Sequence, residues 1–291
     1  MRFLNRKQSK IADAKNAKKM TKRIWWRGVS LHMIIASVLL SACAVIQSPE
    51  RRRIALFAPF EGRYREVGYN ALYGARLAVS DILNQTVDLL AVDDGGTQAV
   101  SHAAALAQDP LVMAVVVLGY DGTTPEALAA FGDIPVLVVG NWGAQPTGDN
   151  VFIYSNPEID EQLTVSARIS VLDAAASPAP LVGGEVFALD GFVKLRDSLD
   201  GVTVVSSGMP PDVDFAARYK ASDPFAPEPG LLATLTHQAI EMAIFWSGGG
   251  TREKTQRFIA MNEDFTDGYW NDAEIHRYRY IEGALTEDIV E

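Results

Sequence analysis

The stretch that most constrains what this chain can fold into is AVVVLGYDGTTPEALAAFGDIPVLVVGNWG, Ala114–Gly143. Its two apolar runs, Ala114–Leu118 and Val136–Val139, show no polar alternation and are flanked by Gly and Pro. Runs of that kind suit parallel strands covered on both faces. A glycine-bracketed loop and a short helix separate them, and a polar loop follows the second. Loops after such strands lie at the carboxyl edge of the sheet, where open α/β folds hold their ligands. Gly119-Tyr120-Asp121-Gly122-Thr123-Thr124 and Gly140-Asn141-Trp142-Gly143 are therefore expected side by side at that edge. They offer hydroxyls, an amide, aromatic faces and close-approach glycines, which describes a binding site more than a reaction centre.

The same alternation extends in both directions. Ile54–Ala58 reads as the first strand, and Val67, Ala71, Ala75, Ala78, Val79 and Ile82 recur at helical spacing up to about Asn84. Val87–Val92 is a second strand, Thr97–Gln108 a second helix, so parallel βαβ units are the economical solution. Beyond Val151–Tyr154, a further strand, the pattern loosens. The spacing predicts a helix from about Asp160 to Ala174, a strand at Val202–Val205 and a short helix at Phe215–Ala221. A long apolar helix follows at Gly230–Ser247, stopped by Gly248-Gly249-Gly250, then another at Thr251–Met261. Tyr278–Ile281 reads as a strand whose weak alternation does not place it.

Charge divides the chain. Residues Met1–Ala42 carry ten Lys/Arg and one acid, so the formal charge of −10 leaves −19 on Cys43–Glu291. A body that acidic is repelled by phosphate backbones, which argues against a nucleic-acid partner. The basic run Lys15–Arg27, the apolar stretch Gly28–Leu40 and Leu40-Ser41-Ala42-Cys43 follow in the order of a secretory signal. The apolar stretch is shorter than the ~20 residues of a spanning helix. Small residues before the single cysteine resemble a bacterial lipobox. The expectation is a lipoprotein signal peptide over 1–42, lipidation of Cys43, a tether over 43–53 and an extracytoplasmic body anchored to the cell membrane. The alternative is an uncleaved anchor with an incidental cysteine.

Taken together, the motifs resemble type I periplasmic substrate-binding proteins, the branched-chain amino-acid receptors of ABC transporters. Ala58–Ile82 (APFEGRYREVGYNALYGARLAVSDI) resembles that family's opening turn and helix. Val92–Gly119 resembles its Asp-Asp strand end, Ala-rich helix and next strand, and Val151–Gln162 its crossover between lobes. Leu181–Leu195 and Pro229–Ile244 fit later landmarks. The resemblance implies a Rossmann-like parallel lobe with helices on both faces and a second α/β lobe. Only Gln162–Pro180 stands where the family has several strand–helix units, so the second lobe is expected to be truncated. The implied layout is first lobe 54–148, reduced second lobe 149–200, return to the first lobe 201–265, and a second-lobe strand segment 266–291.

The resemblance also implies roles. Thr123 and Thr124 stand where the family's hydroxyl pair holds a ligand carboxylate, although Thr124 also suits a simple helix cap before Pro125. Asn141 and Trp142 align with the next ligand loop. Glu185 sits where a carboxylate takes the ligand's ammonium, with a surface glutamate as the alternative, and Tyr64 lies near the same edge. Asp93-Asp94 lacks the alternating oxygens of a calcium loop, and His32, His102, His237 and His276 show no metal spacing. No nucleophile–base pattern is present, so no enzyme and no cofactor are expected. The implied function is capture of an amino acid or amide for ABC permease subunits. The alternative is a derived lipoprotein that has lost solute capture and serves as a membrane-proximal interaction or sensor module.

Overall fold

In the computed structural model, which describes residues 51–82, 87–148, 150–163, 171–178, 180–261 and 263–288, the apolar runs become the centre of a sheet. Strands β1 (Arg52–Ala58), β2 (Val87–Asp93), β3 (Val112–Val117), β4 (Val136–Val139) and β5 (Val151–Tyr154) are all parallel, in the order β2-β1-β3-β4-β5. Every residue of β3 and β4 is buried, which is why their sequences show no alternation. The expected leader, Cys43 and most of the tether lie outside the described residues. Among the described residues no helix is long and apolar enough to cross a membrane.

The strand order reverses at β1. Right-handed crossovers then place helix α1 (Arg65–Asp81) on one face and α2 (Ala99–Ala107) with α3 (Pro125–Ala130) on the other. Four further helices are α4 (Ile159–Gln162), α5 (Val171–Ala176), α6 (Asp190–Val193) and α7 (Val213–Ser222). The last two are α8 (Leu231–Trp246), which packs along α1, and α9 (Arg252–Met261). The α1–α8 approach is so close that a Cβ on Gly74 would stand 2.3 Å from the carbonyl oxygen of Ala233.

A second, smaller sheet has the order β11-β10-β7-β6. Strand β6 (Leu181–Gly183) runs parallel to β7 (Val202–Ser206), which pairs antiparallel with β10 (His276–Ile281), itself paired with β11 (Ala284–Glu287). Tyr278–Ile281, which its own pattern could not place, therefore belongs here. The chain changes sheets more often than the simple two-lobe layout implies. Strand β7 falls in the segment expected to return to the first lobe, yet it joins the small sheet, whereas α7 and α8 pack on α1 and α9 on β3. Conversely, β9 (Tyr269–Trp270) pairs with β5 and β8 (Phe265–Thr266) with β9, extending the large sheet. Both sheets contribute to one hydrophobic core, in which Leu181, Val202, Val204 and Tyr278 join the residues of β1, β3 and β4. The single helix expected from Asp160 to Ala174 is broken near its start: α4 ends at Gln162, and the next residue, Leu163, is extended with ψ 122°.

Candidate functional site

The carboxyl ends of β1, β3 and β4 meet through a ladder of rings. Tyr64, at the entry to α1, stands edge-on to Tyr120 with centroids 5.2 Å apart, and Tyr120 stands edge-on to Trp142 at 5.1 Å. Such edge-to-face pairs each add about 0.5–1.5 kcal/mol beyond the area they bury. The indole N–H of Trp142 donates to the carbonyl of Val139 (2.5 Å), which folds the ring back over the end of its own strand. Burial pushes the Tyr120 phenol well above its usual range. The loops expected to lie side by side do so, and Tyr120 is the member that the expected site left out.

Beside this ladder the two sheets are joined by a polar node. Gly140 has φ 85°, a left-handed conformation suited to glycine. A Cβ there would also stand 3.2 Å from the Glu185 carboxylate. The turn presents Asn141, whose backbone N–H donates to Glu185 Oε2 (3.1 Å) and whose side-chain amide donates to Glu185 Oε1 (2.8 Å). Ser206, the last residue of β7, donates to the same Oε1 (2.7 Å), and Ser155, just past β5, donates to Asn141 Oδ1 (2.7 Å). Glu185 is 1% exposed and so is no surface glutamate. Burial raises its pKa, against the pull of the donors from Ser206 and Asn141. Ser155 and Ser206 were not expected. The one signal for them is their position at strand ends, which any polar strand-end residue shares.

Thr123 and Thr124 separate clearly. Thr124 caps α3: its hydroxyl accepts from the Ala127 N–H (3.3 Å), with Pro125 in the first helical turn. Thr123 is buried and donates to the Gly119 carbonyl (2.7 Å), closing the loop on itself. Neither hydroxyl is aimed at Glu185. Asp93 serves the strand end, accepting from the backbone N–H groups of Phe60 (2.6 Å), Glu61 (3.2 Å) and Gly95 (2.9 Å). Asp94 is different. Its Oδ1 accepts from Gly96 N–H (2.9 Å), but its buried Oδ2 has no partner.

A small cavity lies at this edge. The residues around Asn141, Trp142, Ser155, Asn156, Asp160 and Tyr269 enclose about 10 Å³, room for no more than about one water. A wider opening of about 730 Å³ lies between Pro146, Gly148, Phe152, Gln256, Arg257 and the Asp267-Gly268 turn. There Gln256 donates to the carbonyl of Asp133, ahead of β4, so this opening faces away from the loops just described.

No protein-family model matches the sequence, and no curated protein is similar to it. Solved structures are. The branched-chain amino-acid transporter substrate-binding protein LivJ of Streptococcus pneumoniae, in complex with isoleucine, superposes with a TM-score of 0.59 at 14% identity, covering 82% of this chain and 99% of that one. An ABC transporter substrate-binding protein from Desulfitobacterium hafniense, in complex with Leu, gives 0.59 at 12% identity, covering 82% and 100%. A fatty-acid ABC transporter substrate-binding protein from Thermomonospora curvata gives 0.54 at 13%, covering 82% and 92%. At these identities the likeness establishes architecture, and the architecture of this chain is the type I periplasmic-binding-protein fold.

Proposed function

We propose that this chain is an extracytoplasmic solute-binding protein, tethered by lipid on Cys43, that captures a small amino-acid-like solute for an ABC permease. The observation that carries this reading is the meeting of Asn141 and Glu185 at the carboxyl edge, one from each sheet. Asn141 offers two N–H donors suited to a carboxylate, and Glu185 offers a carboxylate suited to an ammonium group. In the closed structure each satisfies the other, so Glu185 stands in for the solute's carboxylate. An α-amino-acid zwitterion is a small molecule that could part them and satisfy both. Asn141 would take the solute carboxylate and Glu185 its ammonium, with the Tyr64–Tyr120–Trp142 ladder beside the apolar part. Solved proteins of this fold include complexes with isoleucine and leucine, which supports that class of solute.

Small-molecule sites usually enclose about 300–1,000 Å³, against the ~10 Å³ of the cavity beside Asn141 and Trp142. Capture therefore requires the small sheet to swing away from the large one, a hinge motion of the ordinary kind. The same closure favours a second reading, in which the solute site is permanently filled and the fold serves as an interaction module. Calorimetric titration of amino acids and short amides distinguishes the two. Micromolar binding that disappears in Glu185→Ala and Asn141→Ala supports capture. Silence across the whole panel, from protein with a folded circular dichroism spectrum, abandons amino-acid capture for the second reading.

A further inference from the structure

Away from this edge, on the seam between α1 and α8, an imidazole stands between two carboxylates. His237 Nε2 lies 3.0 Å from Asp81 Oδ2, and His237 Nδ1 lies 3.5 Å from Glu241 Oε2. The other oxygen of Asp81 is held by Arg218. A neutral imidazole carries one N–H only. The shorter contact places that hydrogen on Nε2, donated to Asp81, which leaves the Nδ1 lone pair facing the Glu241 carboxylate. The gap between these two atoms can be filled by the second hydrogen of an imidazolium or by a metal ion.

We propose that His237 Nδ1 and Glu241 form a binding site for a zinc-class divalent cation, with Asp81 as the outer carboxylate that orients the ring. The two ligands are at positions i and i+4 of one helix, so they share a face. Their 3.5 Å separation matches the ligand–ligand edge of a tetrahedral ion with bonds of about 2.0–2.2 Å. The donor set of one imidazole nitrogen and one carboxylate suits zinc and its first-row neighbours. An imidazole that binds metal through one nitrogen and donates from the other to a carboxylate is the usual support for such ions. Here Arg218 in turn fixes that carboxylate.

The surroundings are prepared in two further ways. Asp81 accepts from Arg218 through Oδ1 and lies against His237 Nε2 through Oδ2, so both of its oxygens are engaged. The contact of Gly74 with Ala233, one turn before His237 on α8, fixes how closely the two helices approach. The His237 side chain is 15% exposed and has the ring of Phe215 edge-on at 5.4 Å, while Glu241 at 44% leaves an approach from solvent. Two protein ligands leave further coordination positions for water or for a group on another molecule. Among the described residues, Asp81, His237 and Glu241 are the one set of three such side chains whose ligand atoms lie within 4.8 Å of one another.

Zinc chloride titrated into the untagged full chain, with bound metal counted after equilibrium dialysis, tests the assignment. One zinc per chain is expected, with binding lost in His237→Ala and in Glu241→Gln. Asp81→Asn should weaken binding by about 10–100-fold without abolishing it. His276→Ala is the control, because that ring also lies near two carboxylates, Glu287 at 2.8 Å and Glu274 at 3.7 Å. It should leave the stoichiometry unchanged. No bound zinc in folded wild-type protein overturns the proposal, as does zinc that survives His237→Ala or departs with His276→Ala. Loss in Asp81→Asn with retention in Glu241→Gln overturns the division into direct and outer carboxylates.

Discussion

Asp94→Asn should make this protein's stability less sensitive to pH, and the size of the effect follows from one buried oxygen. Asp94 is 3% exposed, its Oδ1 is held by Gly96 N–H, and its Oδ2 has no partner. Burial, with the nearby charges of Asp121 and Asp93 adding to it, raises its pKa to about 6. An unfolded aspartate titrates near 3.9. The folded state therefore keeps a proton that the unfolded state has already lost between pH ~4 and ~6. Since the folded pKa is raised, the contribution is fully stabilising below pH ~4 and disappears as pH rises through 6. About two pH units at 1.36 kcal/mol each give about 3 kcal/mol. Asparagine has no proton to lose. Its amide occupies the unpartnered position at a constant cost of ~1–3 kcal/mol unless it reaches the Asp121 carboxylate. That cost offsets the curve without tilting it. Urea unfolding of both proteins at pH 4, 5, 6 and 7 measures the tilt. Variant minus wild type should grow by about 3 kcal/mol between pH 4 and 7. A difference that stays flat across that range refutes the buried, unpartnered Oδ2.

Two further substitutions test the framework of the site. Thr124→Ala removes the cap whose hydroxyl accepts from Ala127 N–H, and should cost about 1 kcal/mol in denaturant unfolding, with Thr124→Ser recovering most of it. Gly74→Ala drives a methyl to within 2.3 Å of the Ala233 carbonyl oxygen, and should lower stability by about 1–3 kcal/mol as α1 and α8 separate; unchanged stability would mean the helices are not in contact there.

The centre of the large sheet was legible because its strands are short apolar runs bounded by turn residues. A run such as Val136–Val139, buried on both faces between a proline and a glycine, has few alternatives. The small sheet left almost no mark. Strand β10 reads His-Arg-Tyr-Arg-Tyr-Ile with only Tyr278 buried, so its place is set by pairing with β7 rather than by its own pattern, and β8 and β9, which extend the large sheet, are too short at two residues each to leave one. The loops of the site were legible from the strands that deliver them, as Trp142 and Asn141 show. The bonds those loops make were not. Nothing in the spacing of Glu185 and Asn141 marks them as partners of each other, and Ser206 becomes a donor only because β7 joins β6 in the small sheet.

That mutual satisfaction decides how the site can work. Glu185 receives three hydrogen bonds in a dry environment, and bonds to a charged acceptor contribute about 1.5–3 kcal/mol each. A solute that inserts between Asn141 and Glu185 replaces most of these bonds, so their gross value largely cancels. What does not cancel is the contact between the sheets, since Leu181, Val202 and Val204 share a core with β3 and β4. If opening that contact costs about 3 kcal/mol, only about one molecule in a hundred is competent at any moment, and apparent affinity falls by the same factor. Under the proposed reading, capture depends less on the chemistry of Asn141 and Glu185 than on the balance between sheet-to-sheet packing and the surface a solute can bury. The small sheet shares its core with the large one through Leu181, Val202, Val204 and Tyr278, so it has little core of its own to stand on when it moves away, and that shared packing sets how readily the two part.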